Sequence, residues 1–209
     1  ITNGFLSRRI HLGMMKAKII LALLLSAYGA RAQNWHYGIT ANANYSGISG
    51  KGMKESFTAG WQAGLFAEWR LNEVLGVQPE LLFSWNGYKK VEDFMTYYNN
   101  YGRSTAANDV KVGYVAVPLL LRYHISKAVG IMVGPQYSFK VYDDENLLKS
   151  DKAAFKNYEV SVNVGMQVNV GGVGLYGRYN WGLSDVNGID DRYRWNSYHV
   201  QVGVAVRLK

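Results

Sequence analysis

The sequence contains no cysteine among its 209 residues. That absence excludes a disulfide scaffold, a thiolate metal site and a cysteine nucleophile. Charge is sparse too, at 18% of residues, and 3 prolines stand against 23 glycines. With 14% aromatics, this composition excludes a charged disordered chain, a collagen-like repeat and a coiled coil. No apolar run approaches the ~20 residues that a membrane-crossing helix needs; the run Ile19 to Leu25 has seven. The length suits one domain better than two.

What the chain does have begins with a leader. Met14-Met15-Lys16-Ala17-Lys18, the apolar run to Leu25, and Ala30-Arg31-Ala32 form a basic start, a short apolar core and an A-x-A cleavage site. Residues 1–13 read as upstream sequence, 14–32 as a secretory signal peptide, and 33–209 as the exported domain of 177 residues. The formal net charge of +8 and a pI near 9.5 would raise nucleic acid as a partner. Five of the 23 basic residues, however, precede residue 33, and 18 bases against 15 acids leave the exported chain at +3. The bulk-charge case for nucleic acid goes with the leader.

From residue 35 onward the apolar period is two, in eight blocks. In 158–170 every even position is apolar and every odd one polar or glycine, and the block 198–208 repeats the pattern. The block at 110–125 carries a register shift near its start. The connections alternate in length. Short turns fall at Asn72-Glu73, Ser126-Lys127-Ala128 and Gly171-Gly172, and long polar loops at about 47–56, 89–109, 143–156 and 185–196. Eight strands with turns at one end and loops at the other predict an all-β fold, an eight-stranded antiparallel up-and-down barrel.

The polar face decides what surrounds such a barrel. It carries Gly, Asn, Gln, Ser and Thr rather than the Lys and Glu of a wetted surface, whereas the apolar face carries rings too large for an eight-stranded interior. Rings collect at Trp35, Tyr37, Trp69 and Tyr123 toward the turns, and at Trp85, Tyr88, Tyr137, Phe139, Tyr158, Trp181, Trp195 and Tyr198 toward the loops. Two such belts predict a transmembrane barrel.

Gly64-Leu65-Phe66-Ala67-Glu68-Trp69-Arg70-Leu71, Val77-Gln78-Pro79-Glu80-Leu81-Leu82-Phe83-Ser84, Val117-Pro118-Leu119-Leu120-Leu121-Arg122-Tyr123 and Val133-Gly134-Pro135-Gln136-Tyr137 carry a family resemblance. The exported chain resembles the PorT-like "porin family" barrels of Bacteroidetes, and more loosely the OmpA/OmpX-like eight-stranded barrels. The resemblance implies a place in the outer membrane of a Gram-negative bacterium with the loops outside the cell. One departure is the ending Arg207-Leu208-Lys209, which lacks the terminal aromatic of many such barrels.

Pointing inward, Glu68, Arg70, Glu80, Arg122, Glu159, Arg178 and Arg207 form a mixed set of acids and bases. In a lumen this narrow the set predicts a paired ionic plug, with a Glu/Arg network of Glu68, Arg70, Glu80 and Arg122 near the turns. Among the histidines, His36 and His124 fall near the turns and His199 points inward near the loops, with Ser184 a neighbour. No spacing announces a catalytic triad. Asp143-Asp144 and Asp190-Asp191 read as solvated loop acids. In the loops, Tyr97, Tyr98, Tyr101 and Arg103, and then Arg192, Tyr193, Arg194 and Trp195, combine rings with cations in a way that suits sugars or lipopolysaccharide phosphates, or a headgroup anchor. The expected role is structural, binding or secretion-associated within the envelope, with no catalysis and no cofactor. The expected partners are outer-membrane lipid, lipopolysaccharide and envelope or secretion-system proteins. A small-solute pore and a barrel enzyme acting on envelope lipid or peptide are the alternatives.

Overall fold

A computed structural model describes residues 34–101, 107–144, 147 and 153–208. The leader, residues 1–13 and Arg103 lie outside the described residues. The described residues form a barrel. Its strands are β1 (Trp35–Ser49), β2 (Thr58–Arg70), β3 (Leu75–Lys89), β4 (Asp109–His124), β5 (Val129–Asp143), β6 (Tyr158–Val170), β7 (Val173–Gly182) and β8 (Asn196–Arg207). They follow one another around the wall, and β1 pairs antiparallel with β8 from Gly38↔Arg207 to Ser49↔Asn196, so the sheet closes. Closure satisfies every strand edge. The shortest strand has 10 residues, enough at the usual tilt to cross a bilayer with ~9–11.

The period of two becomes a two-faced wall. Leu81, Leu119, Val164, Leu175, Trp181 and Val202 face outward, Trp181 with 61% of its surface exposed, while Asn44, Ser84, Asn163, Asn180 and Gln201 face inward and are buried. An apolar exterior over a polar interior inverts the water-soluble arrangement. Exterior rings stack in groups toward the loop end: Tyr137 lies 4.6 Å from Phe139 and 6.0 Å from Tyr158, and Trp85 lies 5.0 Å from Tyr142. Two rings expected in this belt are not there. Tyr88 and Trp195 are buried, because Tyr88 continues the inward parity of β3 and Trp195 turns into the loop interior.

The register shift expected in the fourth block is a β-bulge between Gly113 and Tyr114. At the third short turn, Gly171 takes φ +61°, a left-handed conformation that glycine adopts without a Cβ penalty. On the inner wall, a Cβ built on Gly203 would lie 2.5 Å from Asn42 Cβ and 2.6 Å from the Tyr176 ring, so glycine there makes room for a ring inside the lumen. The connections at the other end are L1 (50–57), L2 (90–108), L3 (144–157) and L4 (183–195). L2 contains the only helical turns among the described residues of the barrel, α1 (Phe94–Tyr98) and a 3₁₀ turn (Asn99–Tyr101), in a loop whose sequence shows no helical period. Isolated bridges, Met53 to Lys90 and Phe155 to Asn187, tie L1 to L2 and L3 to L4. No helix among the described residues is long and apolar enough to cross a membrane.

Candidate functional site

Parity alone sends about half of every strand into the lumen, and the lumen is filled by what those residues bond to across it. Strands β3 and β7 stand opposite each other in the eight-stranded order, and Arg178 on β7 reaches Glu80 on β3. Its two terminal nitrogens donate to the two carboxylate oxygens at 2.9 Å each, and both side chains are 2% exposed. This two-pronged pair is the strong form of a charged hydrogen bond. Gln78 adds a third donor to Glu80 at 2.6 Å, and the Arg178 guanidinium sits 5.0 Å above the Tyr176 ring.

Nearer the turns, the His124 Nε2 lies 2.7 Å from Glu68, and Arg70 is 3.5 Å from the same carboxylate at the half-exposed mouth. Arg122 donates to Gln78 at 2.7 Å and Gln167 at 3.0 Å rather than to a carboxylate. The expected four-residue network is therefore divided. Glu68 and Arg70 share a cluster with His124, Glu80 belongs to Arg178, and Arg122 is held by amides. His124 was not in the expected interior set, although it continues the inward parity of Leu120 and Arg122 on β4.

Glu159 also stands apart, at the loop end. Ser197 donates to it, His199 Nε2 is 4.0 Å away, and His199 Nδ1 lies 3.0 Å from Ser46 Oγ. Ser184 is not the neighbour of His199 that the sequence suggested; its hydroxyl accepts from the Val160 amide. Serine, histidine and glutamate do meet here, but Ser46, Ser197, Glu159 and His199 are all buried, and the Tyr88 ring packs 6.3 Å from the imidazole. Between the two ionic ends run neutral bonds: Asn42 to Gln62 and to Tyr176, Asn44 to Asn86, Gln62 to Ser84, and Asn180 to Ser161 and Asn163.

Above this column the loops build an apolar core of their own. Ile48, Tyr88, Phe94, Tyr98, Val110, Phe155, Ile189 and Trp195 are buried together. Trp195 packs against Phe155 at 5.7 Å and edge-on against Tyr98 at 5.8 Å, and its indole N–H donates to the Lys51 carbonyl at 3.0 Å. Tyr98 donates to that same carbonyl at 3.3 Å. Burial pushes the Tyr98 hydroxyl up to about 12, so it stays protonated as a donor. Asp185 pins L4: it accepts from Lys156 at 2.7 Å, the Trp195 amide at 2.8 Å and the Asn187 amide at 3.0 Å. Burial pushes its carboxyl up, but these donors outweigh burial and hold it below the usual aspartate range.

The loop residues expected to meet a ligand are thus sorted into two groups. Tyr98 and Trp195 are fully buried and hold the cap together, whereas Arg192 and Arg194 are exposed and Tyr97 and Tyr193 half-buried at its surface. Arg192 is fixed by Asp190 at 2.6 Å and the Tyr97 carbonyl at 2.9 Å, and Arg194 by Asn196 at 2.9 Å and the Leu183 carbonyl. Asp190 is accordingly a partner of arginine rather than a free solvated acid. No cluster of metal-ligating side chains occurs among the described residues.

Residues 31–188 match the family described as "Outer membrane protein beta-barrel domain". No curated protein matches. Among solved structures, the chain is similar to Neisserial surface protein A, at 15% identity and a TM-score of 0.52, covering 81% of this chain and 96% of that one. It is similar also to Ail, the attachment invasion locus protein of Yersinia pestis, solved in complex with the heparin analogue sucrose octasulfate. That match has 14% identity and a TM-score of 0.50, and covers 84% of this chain and 99% of that one. Identities this low carry the fold alone.

Proposed function

This chain belongs to the outer membrane protein β-barrel domain family, and from that premise we propose that it is a plugged barrel whose loop end forms a binding face outside the cell. The observation that carries the reading is the filled lumen. The Arg178–Glu80 pair spans it, amide networks lie on either side, and an aromatic core closes the loop mouth. An eight-stranded interior so occupied leaves no continuous aqueous path, which favours binding over a small-solute pore. What the cap holds up is a set of cations and half-buried rings, Arg192, Arg194, Tyr97 and Tyr193, placed where outer-membrane lipopolysaccharide or an external ligand would meet them.

Among the described residues, the Ser46–His199–Glu159 contact is the arrangement that would favour a barrel enzyme, and it lies buried beneath the cap. The PorT-like resemblance extends the proposal to envelope or secretion-system proteins as partners, to be sought by crosslinking and co-purification from native outer membrane. The binding-face reading is tested with an epitope inserted in L2 and, separately, between Gly171 and Gly172. On intact cells the L2 epitope should be labelled, and the turn epitope only after permeabilisation. The reverse pattern would refute the orientation.

A further inference from the structure

Charges on the cap are sorted along five consecutive residues. Asp190 and Asp191 line a groove of about 450 Å³ between L3 and L4. Arg192, Tyr193 and Arg194 line a separate groove of about 520 Å³ between L1 and L4, whose L1 side contributes Lys51 and Glu55. The second groove is therefore lined by three cations and one carboxylate; Arg192 is ion-paired with Asp190, which sets Lys51 and Arg194 against Glu55, whose carboxylate accepts the Ser49 hydroxyl. Its volume falls within the ~300–1,000 Å³ usual for a small-ligand site.

The cations are also held in position. Arg192 is fixed by Asp190 and the Tyr97 carbonyl and lies 5.6 Å over the Tyr193 ring, while Arg194 is fixed by Asn196 and the Leu183 carbonyl. The Lys51 backbone is anchored from below, since its carbonyl receives both the Trp195 indole N–H and the Tyr98 hydroxyl. Groups fixed in this way lose less side-chain freedom when a ligand arrives.

We infer that the L1–L4 groove binds a sugar carrying sulfate or phosphate esters. Nε and Nη2 of each arginine are turned to protein partners, so the guanidinium groups offer ester oxygens charge-assisted donors from fixed positions, the lysine supplies a point charge, and the Tyr193 ring offers an apolar edge to a sugar face. The ester chemistry is shared by phosphorylated lipopolysaccharide headgroups and by soluble sulfated glycans. This inference rests on the reading of the loop end as an exposed binding face, but it can fail while the epitope experiment succeeds.

The test uses the full chain refolded into nanodiscs of zwitterionic lipid, with binding followed calorimetrically. Three soluble probes are compared: a trisulfated disaccharide, a bisphosphorylated diglucosamine and an unsubstituted disaccharide. At least one ester-bearing probe should bind about tenfold or more tightly than the neutral one, with affinity falling as salt rises. Preference for the phosphorylated probe identifies the headgroup as the source, and preference for the sulfated one identifies a soluble glycan; either supports the site. Lys51→Gln, an exposed change, should weaken binding several-fold, and Lys51→Gln with Arg194→Gln should weaken it by about tenfold or more. Arg192→Lys retains the charge but cannot hold Asp190 and the Tyr97 carbonyl with the same planar group, and should weaken binding several-fold. Equal binding of all three probes, no binding of any, or unchanged binding by Lys51→Gln would overturn the inference.

Discussion

Replacing Arg178 with methionine retains much of the apolar stem and removes the charge, leaving the Glu80 carboxylate 2% exposed with the Gln78 amide still donating to it. Removing one partner of a buried ion pair typically costs about 3–5 kcal/mol, because the surviving charge stays desolvated without compensation. At 1.4 kcal/mol per tenfold, that is a shift of about 10² to 10³ or more in the unfolding equilibrium. Glu80→Met should cost a similar amount, since it strands the guanidinium instead. The double variant removes both charges and should lose far less than the sum of the two single losses. The measurement is guanidinium unfolding of the refolded chain in detergent micelles, followed by tryptophan fluorescence and by the mobility difference between folded and unfolded barrel on gels. A single variant within about 1 kcal/mol of the parent, or losses that add in the double variant, would refute the claim that this pair spans a dry lumen.

Trp195→Ala should remove the centre of the cap at a cost of about 3–5 kcal/mol, seen as rapid proteolytic nicking in the loops while the barrel retains its gel mobility. Asp185 has a depressed folded-state pKa, so its contribution to the cap is present above the unfolded aspartate range and is lost as pH falls through the folded value. Loop proteolysis of the parent should therefore rise only below about pH 4, and Asp185→Asn should show faster nicking at neutral pH with less further change on acidification. Gly171→Ala, at φ +61°, should cost about 1–2 kcal/mol in the same unfolding assay. Gly203→Val should do greater damage by displacing the Tyr176 ring from its bond to Thr40, visible as lost refolding yield.

The wall of the barrel was legible because a strand has a strict period. Parity places Glu80, Arg122 and Arg178 inside and Leu81 and Trp181 outside, and alternating turn and loop lengths order the strands. Partnership inside was not legible. Which acid meets which base depends on the stagger of strands on opposite walls, so Glu80 finds Arg178 at a separation of 98 residues while nearby Arg122 is held by amides. The loops carry no period at all. Within one short run Tyr97 lies near the surface and Tyr98 is buried, and Arg194 is exposed beside a buried Trp195, because a cap formed by packing four loops together decides each residue separately. Composition announced the rings but not that several of them would close the barrel instead of anchoring it.

Conductance tests the filled lumen most directly. The refolded chain, inserted in a planar bilayer at neutral pH, should leave the current at that of the bare membrane. Stable single-channel steps from the parent chain would contradict a lumen closed by Glu80–Arg178 and the aromatic cap.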